Sequence, residues 1–159
     1  MMYKHILLPV DGSRLSEEAA RTGIALARAV GARVTALHVV PRTSPPNLES
    51  WAHSTPDFAT RLDETLVSRG ARFVEEIRDA ARLSGVACEC QVSHERTPHE
   101  GILQSAREGQ CDLIVMASHG RGGDGAEILD SETVKVVTLG EIPVLVHHAR
   151  RDRDRGLPA

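Results

Sequence analysis

Between residues 112 and 146 the chain runs through a buried-looking strand, DLIVMA, a turn, SHGRGG, a short helical pattern that takes in Ser131, and a second strand, PVLV. A strand that ends in a glycine-rich turn and feeds a helix presents backbone N–H groups outside the carboxyl edge of a sheet. That edge is where α/β proteins hold phosphates. The stretch therefore predicts a phosphate-binding design, and the rest of the chain must supply the sheet around it.

The remaining segments alternate strand and helix. KHILLPV (4–10) is a short apolar run closed by Asp11, Gly12 and Ser13; from about 14 to 30, Leu15, Ala19, Gly23, Leu26, Ala27 and Val30 recur at helical spacing before Gly31. ARVTALHVV (32–40) reads as a second strand, and Pro41 begins a break. Residues 41–56 hold Pro41, Pro45, Pro46, Pro56 and Trp51, a long connection of open role. From about 57 to 84, Leu62, Leu66, Gly70, Phe73, Ile77 and Ala81 trace one face of a long helix that Gly85 can end. VACECQV (86–92) is a further strand. Thr97, Pro98, His99 and Glu100 then read as a capping box, with the Thr hydroxyl on the N3 amide, Glu100 reaching back and Pro98 at N1. The helix they start carries Ile102, Leu103 and Ala106. Five strands separated by helices predict an α/β fold: one domain, a five-stranded parallel sheet flanked by helices on both faces, with consecutive right-handed crossovers covering the two faces.

Composition agrees. A chain of 159 residues, 41% of them hydrophobic, suits a single core, and with only 3% aromatics that core must be Val, Leu, Ile and Ala, as in buried parallel sheets. A net charge of -3 with 26% charged residues lacks the basic excess that nucleic acids require. Cys88, Cys90 and Cys111 have no CxxC spacing, which leaves reduced thiols, although Cys88 and Cys90 share a strand face and could touch as a redox pair. No apolar run approaches the roughly 18 residues of a membrane span, and MMYKHILLPVDGS lacks a signal-peptide pattern. The expectation is a soluble cytoplasmic protein without membrane or nucleic-acid partners, its domain spanning 1–148 and its charged tail, 149–159, solvated.

In this order, KHILLPVDGS, ALHVV, DLIVMASHGRGG and PVLV resemble the universal stress protein family across nearly the whole chain. The resemblance implies a five-stranded Rossmann-like fold, of the adenine nucleotide alpha hydrolase-like kind, and usually a homodimer. Some members bind ATP and others have lost it. Nucleotide-binding members carry Gly, two residues, Gly, nine residues, Gly, then Ser or Thr; without a gap this falls on Ala117, Gly120, Asp130 and Ser131, so two of four positions match. Ala117 adds a methyl close to a phosphate. Asp130 matters more, because a carboxylate about 5 Å from a phosphate opposes it by roughly 1 kcal/mol in water-like surroundings and about 3 kcal/mol at an effective dielectric near 20. Glu132 adds to that repulsion, whereas Mg²⁺ bridging Asp130 to phosphate oxygens would reverse it.

Further site residues follow from the resemblance. Pro9, Val10 and Val39 match base-pocket positions, and Met116 ends a strand beside them; core packing accounts for all four equally. Asp11 falls where a carboxylate meets ribose or base, and is also suited to an Asx-turn or N-cap serving Gly12 and Ser13. His119, Gly120, Arg121, Gly122 and Gly123 form the phosphate-loop candidate, with a ligand-free surface loop as the alternative. Ser131 and Thr133 offer hydroxyls that cap a helix or bind phosphate. His38 reads as a core residue, and His147 with His148 alternate faces, which is poor geometry for a metal. No GxSxG, GxxxxGK[ST], HxGH or SGGxDS pattern is present, so a non-catalytic regulatory module is expected, with or without ATP. An interaction protein closed to nucleotide and a slow ATP hydrolase are the alternatives. The resemblance also implies that Pro143–Val146, at a sheet edge, joins two copies.

Overall fold

The computed structural model describes residues 2–42, 56–118 and 131–149. The chain order is β1 (His5–Pro9), α1 (Arg14–Val30), β2 (Arg33–Pro41), α2 (Pro56–Leu83), β3 (Cys88–Glu95), α3 (Pro98–Glu108), β4 (Leu113–Ala117), α4 (Ser131–Leu139) and β5 (Val144–His147). All strand pairings are parallel and the spatial order is β3-β2-β1-β4-β5. The expected fold class is therefore observed. The Trp51 connection, the loop from His119 to Asp130 and most of the charged tail lie outside the described residues.

The period of two along each strand divides the core into two layers. Ile6 and Leu8 of β1, Val34 and Ala36 of β2, and Leu113 and Val115 of β4 pack with Ala20, Ile24 and Ala27 of α1 and Val74, Ile77 and Ala81 of α2. Leu7, Leu37, Val39, Ile114 and Met116 point the other way, onto Ile102, Leu103 and Ala106 of α3 and Val136 of α4. The helices thus do not alternate between faces; the first two share one face and the last two share the other. A right-handed crossover changes face only when the direction of travel across the sheet reverses, and that happens once, when the chain leaves β3 at one edge and returns to place β4 beside β1.

Local signals set the ends of these elements. Ser13, extended at φ −75 and ψ 150, caps α1 by accepting from the Ser16 N–H at 3.2 Å, and Gly31 ends the helix in the left-handed region at φ 72. Thr97 sits at the N-cap of α3 and Pro98 in its first turn, but the predicted capping box is not made: the Thr97 hydroxyl forms no cap bond and Glu100 is exposed. The strand predicted at 86–92 is shifted to Cys88–Glu95, because it pairs along the whole of β2, from Val34↔Cys88 to Pro41↔Glu95. Among the described residues no helix is long and apolar enough to cross a membrane.

The turn after β1 tolerates only glycine at one position. Gly12 has φ +81, and a Cβ there would lie inside van der Waals contact of the Phe73 ring. Gly12→Ala should therefore lower stability by about 1–3 kcal/mol, combining backbone strain and collision. A reduced urea midpoint at unchanged m would show this; an unchanged midpoint would remove the argument.

Candidate functional site

A cleft of about 280 Å³ opens at the carboxyl ends of the central strands. Pro9, Val10 and Asp11 line it from the end of β1, Leu37, His38 and Val39 from β2, Met116 and Ala117 from β4, Pro98 and Ile102 from α3, and Glu132 and Thr133 from α4. Two neighbouring strands, β1 and β4, send the chain to opposite sides here, so their following segments diverge and leave a crevice. Of the residues expected from sequence, Pro9, Val10, Asp11, Val39, Met116, Ala117 and Thr133 are brought together at this cleft. Ser131 opens α4 beside it in the chain, whereas His119, Gly120, Arg121, Gly122, Gly123 and Asp130 lie outside the described residues.

Each polar wall residue has an identifiable partner. Asp11 Oδ1 accepts from the Ser13 backbone N–H at 2.9 Å, which is the Asx-turn, while Ser13 rather than Asp11 takes the N-cap. Asp11 also faces the cleft, so the turn and the wall are the same residue in two capacities. His38 Nδ1–H donates to the Val10 carbonyl at 2.8 Å and its ring meets Phe73 edge-on, centroids 5.3 Å apart; it is a pocket wall as well as a packing residue. The Thr133 hydroxyl, 3% exposed, donates to the Ala117 carbonyl at 3.0 Å. Its proton thus ties the helix start to the end of β4, while Thr133 lines the cleft.

Glu132 makes the least expected contacts. Its Oε2 accepts both the His99 backbone N–H and the His99 Nδ1–H, each at 2.8 Å, and its Oε1 accepts from Lys135 Nζ at 3.1 Å. The carboxylate thereby caps the N2 amide at the start of α3, a donor other than the N3 amide of the predicted capping box. An ionised oxygen is a stronger acceptor than a threonine hydroxyl and is favoured at a helix N-terminus. Burial raises the Glu132 carboxyl pKa, but the His99 N–H, the His99 ring and Lys135 together outweigh it, leaving the value below the ordinary 4.5.

Sequence reasoning passed over Ser16, Leu37, His38, Pro98 and Ile102 as wall residues. Pro98 and Ile102 carry only helix-start and core signals, and reach the cleft because α3 packs across β2. The cysteine pair offers little chemistry. Cys88 and Cys90 are half-buried against the first core layer; burial pushes the Cys88 thiol up to about 11 and raises that of Cys90. Such thiols are poor nucleophiles near neutrality. Among the described residues no group of three or more His, Cys, Asp or Glu is placed to hold a metal ion.

Sheet order and cleft together define a doubly wound α/β domain with a crevice at its strand-order reversal. Residues 2–148 match the sequence profile of the Universal stress protein family, and the chain belongs to that family. A universal stress protein of Thermus aquaticus, encoded beside a sulfhydrylase gene, is 34% identical over 147 residues, 91% of this chain and 98% of the relative. The structure of the hypothetical protein MJ0577 of Methanocaldococcus jannaschii superimposes with a TM-score of 0.80 at 27% identity, covering 96% of this chain and all of the other. Two more distant relatives share the fold: a universal stress protein in complex with cAMP (TM-score 0.63, 19% identity, 93% and 98% of the two chains) and one from Archaeoglobus fulgidus in complex with dAMP (0.60, 21%, 92% and 99%).

The Glu132 bonds give the site a defined response to acid. A carboxylate whose pKa is depressed in the fold contributes stability that is present above its unfolded value and is lost as pH falls through the folded one. Wild type should therefore exceed Glu132→Gln in stability by about 1–2 kcal/mol at pH 7, and the gap should close as pH falls below about 4.5. Urea denaturation at pH 7, 5 and 3.5 measures it; a gap independent of pH would contradict the assignment.

Proposed function

We propose that this chain is a non-catalytic regulatory module whose cleft takes an adenine nucleotide, acting in the cytoplasm as a homodimer. The observation that carries the reading is the convergence of Pro9, Val10, Asp11, Val39, Met116 and Ala117 on one cleft at the reversal of strand order. The walls suit such a ligand: Val39, Met116 and Ile102 are apolar surfaces for a base, and Asp11 offers a carboxylate to ribose hydroxyls or an exocyclic amine. The cAMP and dAMP complexes of the two fold relatives support the choice of ligand class. For ATP, the phosphates would extend toward the start of α4 at Ser131, and Mg²⁺ would be drawn to Asp130.

The dimer is supported by the position of β5. It is an edge strand with Leu145 37% exposed, and α4, just before it in the chain, exposes Val134, Val137 and Leu139. An unpaired parallel edge with apolar side chains beside it is satisfied by a second copy meeting it through Pro143–Val146.

Calorimetric titration with AMP and with ATP, in the presence and absence of Mg²⁺, tests the ligand. Saturable binding at one site per chain is expected, weakened about tenfold or more by Asp11→Ala through the loss of a charged hydrogen bond. Absence of heat with every one of these ligands would favour an interaction protein closed to nucleotide, and phosphate release above that of Asp11→Ala would favour a hydrolase. Sedimentation should give a dimer at micromolar concentration and a monomer for Leu145→Lys; a monomeric wild type would remove the edge-strand interface.

A further inference from the structure

We infer that Glu132 sets the charge this cleft accepts, so that it favours an adenine nucleoside or monophosphate over the triphosphate; the inference rests on the adenine reading above. Glu132 lines the cleft, and its carboxylate is held in place by three donors, the His99 backbone N–H, the His99 ring and Lys135. It cannot turn away from an incoming anion without abandoning all of them.

Those same bonds consume groups that would otherwise welcome phosphate. The His99 N–H at the start of α3 and the Lys135 ammonium are both directed at Glu132. Among the described wall residues the charged side chains are the carboxylates of Asp11 and Glu132; neither Lys nor Arg is among them. Glu132 also directly follows Ser131, the signature position that opens α4, so a phosphate resting on that helix start would have the carboxylate as a neighbour.

The size of the effect follows from the charges present. Two unit charges about 5 Å apart at an effective dielectric near 20 repel by enough to change affinity roughly a hundredfold, but Lys135 and His99 offset part of this, leaving about tenfold. Discrimination that is electrostatic must also weaken as salt shortens the Debye length to about 8 Å at 0.15 M ionic strength.

The test is a titration of adenosine, AMP and ATP without Mg²⁺ into wild type and Glu132→Gln, at low and at physiological salt. In wild type at low salt, adenosine should bind about tenfold tighter than ATP, with AMP between them, and the ratio should shrink as salt is raised. Glu132→Gln keeps an acceptor for the His99 N–H; it should shift the ratio of ATP to adenosine affinity about tenfold toward ATP. The salt series on wild type is informative even if the variant folds poorly. Equal affinities for adenosine and ATP in wild type, or a ratio that neither salt nor the variant changes, would overturn this inference alone. Failure of all three ligands to bind either protein would remove the adenine reading, and this inference with it.

Discussion

The side chains of β1 leave solvent in both directions, Ile6 and Leu8 beneath α1 and α2, Leu7 beneath α3 and α4, and all three are fully buried. Each such side chain is worth about 1.5–3 kcal/mol relative to exposure, in a fold whose net stability is about 5–15 kcal/mol. A strand apolar on both faces has to be covered on both faces. Right-handed crossovers achieve this only if the chain travels one way across the sheet and then the other, and the reversal beside β1 opens the cleft. The cleft is thus a consequence of burying the central strand.

Glu132 shows a tertiary contact serving a helix start where the local cap is not made. Thr97 and Glu100 have the spacing of a capping box, and Thr97 does stand at the N-cap with Pro98 after it. Yet α3 and α4 lie side by side on the same face, which brings the Glu132 carboxylate onto the His99 N–H. The result is a charge fixed in the pocket wall and a direct tie between the starts of two helices. Thr133, the next residue, bonds to the Ala117 carbonyl, so the first turn of α4 is tied to both β4 and α3.

Much of the site was legible from residue order. Helix α1 occupies the predicted span of 14–30, Gly85 follows α2 with φ +70, and DLIVMA contains β4. Pro9, Val10 and Asp11 could be placed because KHILLPVDGS matches the family's positions at the end of the first strand. Other features were not legible. Pro98 and Ile102 are distant in sequence from β1, and nothing in their own neighbourhood says that α3 crosses the cleft. The end of β3 depended on the length of β2, since a strand continues as long as it has a partner for its backbone groups.

By itself the sequence determined the number and kind of elements, the composition of the core and the family, because apolar periodicity, turn residues and capping residues act over a few positions of chain. Tertiary structure alone decided which walls meet at the cleft, that the helices group by halves of the sheet, and that the acceptor at the start of α3 is Glu132. Those outcomes depend on which distant segments pack together, and an ionised carboxylate brought within 2.8 Å of a free helix-start N–H makes a strong acceptor for it.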